Sequence, residues 1–96
     1  MVNKEIQITN EKLEKYFSIT ERAFKIASKN VVKGKEWEAK EILLMATNYL
    51  NDAHFFEKKL DLVNAFAAIN YAHGWLDCGV RLGIFNTKNN KLFTIK

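Results

Sequence analysis

Apolar residues recur along the chain at steps of three and four, and that rhythm predicts three helices in order. The first opens after Thr9-Asn10, either of which can cap a helix. It sets Leu13, Phe17, Ile19 or Thr20, Phe24 and Ala27 near one face, over about residues 10–29. The segment Asn30-Val31-Val32-Lys33-Gly34-Lys35 then holds the only glycine of the first 73 residues and reads as a turn. The second helix, expected over about 36–58, has the cleanest period: Ala39, Ile42, Leu43, Ala46, Tyr49, Leu50, Ala53 and Phe56. Lys58 and Lys59 suit the dipole at its end, and Asp61 can cap the helix that follows.

The third helix, about 62–82, is apolar on most sides yet too short and too polar to cross a membrane, so protein must bury it. Gly83 is placed as a left-handed stop, with Ile84 positioned to close a hydrophobic cap contact. A connection as short as Lys58 to Asp61 forces antiparallel packing of the second and third helices. The expected fold is all-α, a three-helix up-and-down antiparallel bundle in one domain over residues 1–96, with short extended tails. Ala65, Ala68, Ala72, Gly79 and Gly83 make a small-residue stripe on the third helix, where the first or second helix can approach closely. The tail, 84–96, contains the β-prone Leu92-Phe93-Thr94-Ile95, which can dock as an extended cover and pair with Glu5-Ile6-Gln7-Ile8.

Composition changes this picture little. The 96 residues are 48% hydrophobic and 27% charged, with no proline and four glycines, all of which favours a helical globule. A lone cysteine, Cys78, allows no internal disulfide and no thiolate zinc site; it reads as a small buried hydrophobe in an intracellular protein. The start, Met1-Val2-Asn3-Lys4-Glu5, has neither a secretion signal nor a transit pattern, so a cytoplasmic location is expected. The net charge is +4 and the pI is about 9.2. Lysines alternate with glutamates between Lys4 and Lys40, as on a solvated face. Only the tail, with Lys88, Lys91 and Lys96 and no acid after Asp77, is locally basic, which points to nucleic acid.

Chemistry concentrates on the third helix. Asn70, His73, Asp77 and Arg81 recur at three- and four-residue steps and share one side, so Asp77 can accept from both His73 and Arg81. The stripe suits recognition of an anionic or carboxamide group, or else serves as a polar seam that ties down a loop or the tail. It holds no nucleophile, so a His-Asp catalytic reading is incomplete. No metal or cofactor is expected: His54 and His73 lie on different helices, and His54, beside Phe55 and Phe56, reads as an exposed or half-buried residue. Trp37, Leu44 and Phe55 form a second apolar line on a helix that already has a core face, so the tail or another subunit must cover it, unless they are scattered surface residues.

The stretch Tyr49 to Asp61, continuing through Ala65 to Asp77, Gly79 to Phe85 and Leu92-Phe93-Thr94, resembles the archaeal domain of unknown function family 357. Its most specific part is Gly74-Trp75-Leu76-Asp77-x-Gly79-x-Arg81-Leu82-Gly83. The resemblance implies a small cytoplasmic archaeal protein folded as a left-handed three-helix bundle, with no established activity. Leu60 stands where the family pattern has glycine. A β-carbon in a left-handed helix stop costs on the order of 1 kcal/mol, so a different turn is expected there. Cys78 replaces the usual alanine, which again argues for packing.

The resulting expectation is a non-enzymatic interaction or assembly module, acting as a homodimer or on another protein, through the Trp37-Leu44-Phe55 line and the third-helix stripe. The alternatives are a nucleic-acid-associated protein using the basic tail, and small-ligand binding at Asn70, His73, Asp77 and Arg81.

Overall fold

The computed structural model describes residues 7–95. Three helices follow in order, α1 (Asn10–Lys29), α2 (Glu36–Lys58) and α3 (Leu62–Arg81), which bears out the all-α three-helix bundle. Thr9 starts α1: its hydroxyl accepts from the Lys12 N–H at 3.1 Å, satisfying a donor the helix cannot. Asp61 does the same for α3, accepting from the Asn64 backbone at 3.2 Å and from its side-chain amide at 2.7 Å. α2 has no such cap; the Glu36 carboxylate folds back to accept from the Gly34 N–H at 2.7 and 3.1 Å instead.

Helices α2 and α3 end in the same way. The Asp61 N–H donates to Phe56 O at 2.9 Å and the Leu60 N–H to Glu57 O at 3.0 Å; likewise Ile84 donates to Gly79 O at 2.8 Å and Gly83 to Val80 O at 3.1 Å. This double bond pattern needs a left-handed residue one past the cap. Gly83 supplies it at φ 73. At the other turn Leu60 takes it at φ 59, so the turn does not differ as its β-carbon predicts. The short connection to Asp61 and the two hydrogen bonds over-determine the backbone and outweigh the strain.

α3 packs along both other helices, whereas the α1 and α2 backbones come close at few points. Small side chains permit the approach: Ala39, Ala46 and Ala53 on α2 and Ala65, Ala68 and Ala72 on α3 are buried. Gly83 does not belong to that stripe, because it sits exposed in the helix stop. At Gly79 the closest approach comes from the tail: a Cβ there would overlap the Phe85 ring and lie 3.3 Å from Ile42 Cδ1.

The core divides in two. One cluster joins Leu13, Phe17, Ala53, Ala65, Ala68 and Ile69. The other joins residues of all three helices, Ala23, Ala27, Ile42 and Leu76 among them, to the tail residues Ile84, Phe85, Leu92 and Phe93. Between them along α1 and α3 lie Thr20 and His73, with Thr20 Oγ1 3.2 Å from His73 Nδ1. The tail docks on the bundle, and its first residues pair with the α1–α2 connection. Val31 and Phe85 form an antiparallel bridge. Val32 N–H donates to Ile84 O at 2.9 Å and Asn86 N–H to Asn30 O at 2.8 Å, so the tail joins the α1–α2 connection. The pairing expected from Glu5 to Ile8 lies partly outside the described residues, as does Lys96. Beyond Asn86 the tail is not extended throughout. The Asn89 side chain accepts from Lys91 and Leu92 N–H, both at 3.0 Å, and turns the chain so that Leu92 and Phe93 enter the core.

Candidate functional site

The polar stripe of α3 is split by the tail. His73 and Asp77 are half-buried, with side chains 19% and 25% exposed, while Asn70 and Arg81 are exposed. Asp77 Oδ1 accepts from the Thr94 N–H at 2.8 Å and Oδ2 from the Thr94 hydroxyl at 3.1 Å. His73 Nε2 lies 3.7 Å from Asp77 Oδ2. With the ring proton on Nε2, the Thr20 hydroxyl donates to Nδ1, and a polar chain runs from α1 through α3 to the tail. Asp77 therefore clasps the tail. The sequence puts Asp77 within reach of His73 but gives no sign of Thr20 or Thr94 as partners, because one is 53 residues from His73 and the other 17 from Asp77.

Arg81 and Asp77 border a shallow depression of about 490 Å³ together with Gly74, Cys78 and Thr94. Next to it lies another of about 320 Å³, lined by Asn70, Tyr71, Gly74, Trp75 and Cys78. Here Cys78 is exposed, not the buried hydrophobe its apolar neighbours suggest. It falls four residues after Gly74 on the outer side of α3, where no helix packs, and the periodicity of that side is masked by its apolar composition. Tyr71 contacts Tyr49 of α2, ring centroids 4.4 Å apart, and borders Trp75 at 6.4 Å.

His54 is exposed as expected, but it has cross-helix neighbours that the sequence does not disclose. Its ring stacks on Phe17 of α1 at 4.5 Å, with Nε2 3.5 Å from Glu21 and Nδ1 3.6 Å from Glu57. A groove of about 280 Å³ opens beside it between α1 and α2, where the two backbones stand apart. Among the described residues no group of three His, Cys, Asp or Glu side chains is placed to hold a metal ion. Nor, among the described residues, is any helix long and apolar enough to cross a membrane.

Trp37, Leu44 and Phe55 are 71%, 52% and 56% exposed. They lie on the side of α2 opposite its buried residues Ala39, Ile42, Ala46 and Ala53, and the tail, which closes the core from the α1–α2 connection, leaves them uncovered. Tyr16 against Phe66, centroids 5.0 Å apart, and Phe55 against Phe56 at 5.6 Å complete the aromatic contacts near the opposite end.

The family described as Protein of unknown function (DUF357) matches residues 15–85, more than half of the chain. Comparison with curated proteins and with solved structures returned no match.

Proposed function

The chain belongs to the family described as Protein of unknown function (DUF357), and on that premise we propose that it works as a non-enzymatic helical interaction module. The observation that carries this reading is the line of uncovered apolar side chains on α2, Trp37, Leu44 and Phe55. By helical rise they stand roughly 10 Å and 16 Å apart, spaced as anchors along a rod rather than as one patch. Single exposed leucines are ordinary, but three large apolar groups in register on one helix are suited to a second helix laid along them.

A second copy of the chain is the simplest such helix, giving a homodimer; a different protein is the alternative occupant. The non-enzymatic part of the proposal is supported by Asp77, whose oxygens are engaged by Thr94 instead of facing a substrate. The same engagement favours reading Asp77 and His73 as a structural clasp, while Asn70 and Arg81 stay exposed beside it. An archaeal cytoplasmic setting is part of the proposal and is supported by the sequence resemblance alone.

Mass in solution tests the homodimer. Sedimentation of the intact chain at tens of micromolar is expected to give twice the monomer mass, and Leu44→Glu to return it to monomer. A strict monomer unaffected by Leu44→Glu overturns it.

A further inference from the structure

The bridge between the tail and the α1–α2 connection joins two stretches that are each free of acid. From Arg22 to Lys35 the chain carries Arg22, Lys25, Lys29, Lys33 and Lys35 without a single Asp or Glu, and from Cys78 onward it carries Arg81, Lys88, Lys91 and Lys96 in the same way. The Val31–Phe85 bridge and the hydrogen bond from Asn86 N–H to Asn30 O place Lys29 and Lys33 on one side and Lys88 on the other. What reads in sequence as dispersed charge plus a basic tail is one cationic end of the molecule.

All three of these lysines are exposed, and none has an ion-pair partner among the described residues. The nearby acids are partly engaged: Glu36 accepts from Gly34 N–H, and Glu38 lies 3.8 Å from Lys35. Trp37, 71% exposed, opens α2 two residues beyond Lys35. Exposed lysines on a joined pair of segments, with an exposed indole a few residues further along the chain, suit a phosphodiester backbone with a base stacked nearby.

We propose that this end binds single-stranded nucleic acid, with phosphates on Lys29, Lys33 and Lys88 and an unpaired base on Trp37. RNA and DNA share that chemistry. An anionic membrane is the competing ligand, with Trp37 and Leu82 exposed; it fits less well because the tail from Asn86 to Lys91 carries only amides, a hydroxyl and cations. The lysines stand apart from the helix-docking line, but Trp37 belongs to both, so a docked helix and a stacked base compete for the indole.

The test is fluorescence anisotropy of labelled oligouridylate and oligothymidylate 12-mers with the intact chain at two salt concentrations. Binding to either strand is expected, with log affinity falling against log salt at a slope of about −2 for three phosphate contacts. The triple variant Lys29→Glu, Lys33→Glu, Lys88→Glu is expected to lose at least tenfold in affinity, while the matching Lys→Arg triple retains it. Trp37→Ala is expected to lose about fivefold or more with the salt slope unchanged. Leu44→Glu leaves oligonucleotide binding intact, so a failed dimer and a failed nucleic-acid site give different results. No binding at low salt, affinity unaltered in the charge-reversed triple with its far-UV circular dichroism intact, or tighter binding to phosphatidylglycerol vesicles than to either oligonucleotide overturns the proposal.

Discussion

Leu60 holds a left-handed backbone, φ 59, and the residue is 82% exposed. The position returns almost no packing for the steric cost of a β-carbon there, so Leu60→Gly removes strain and little else. The expected outcome is a gain of up to about 1 kcal/mol, reduced by the added freedom of glycine in the unfolded chain. In thermal unfolding this is a rise of about 4 °C for a domain of this size; a fall in midpoint contradicts it. The sequence alone points the other way, to an altered turn, because a residue-by-residue cost is visible there and the hydrogen bonds from Leu60 to Glu57 and Asp61 to Phe56 are not. Asp77 illustrates the same boundary. Its place on the helix face is legible from spacing, whereas its partner Thr94 depends on where the tail turns, and Asn89 sets that turn.

At the level of elements, helix positions follow from the three- and four-residue period so closely that α1 and α2 lie where the apolar rhythm puts them, and α3 ends at Arg81, one residue early. What the period leaves open is the neighbour that each face meets. Two glycines inside α3 separate the cases. Gly74 has nothing within 4 Å of the point where a β-carbon would stand, so Gly74→Ala acts through helix propensity alone and is expected to stabilise by about 0.5–1 kcal/mol. Gly79 lies under the Phe85 ring, so Gly79→Ala is expected to destabilise by about 1–3 kcal/mol despite the same gain in propensity. Urea unfolding of the two variants checks both signs, and equal effects would contradict the packing of Phe85 on Gly79. Small residues along α3 are legible as a stripe and Gly83 as the helix stop, but the sequence does not show that Gly79 serves the tail instead of a helix contact.

At the level of the whole molecule, the charge pattern is the part least legible in sequence, because the segments that carry Lys29 and Lys88 are joined only when the tail crosses to the α1–α2 connection. The division of the core has consequences on the same scale. Leu13 and Leu92 belong to different clusters with no buried member in common. Leu13→Ala and Leu92→Ala are each expected to cost about 2–5 kcal/mol. Measured together by denaturant unfolding in a background stable enough to bear both, they should sum to within about 0.5 kcal/mol. A larger coupling would mean that the clusters act as one. The polar contact of Thr20 with His73 is then a seam, and the two ends answer to separate constraints. If the two costs add, substitutions that reshape the cationic end are absorbed by the packing of that end, and the opposite half keeps the helices in register. The chain would then be a fixed stem with a head that can be retuned, and a lineage could alter what the head meets without rebuilding the stem.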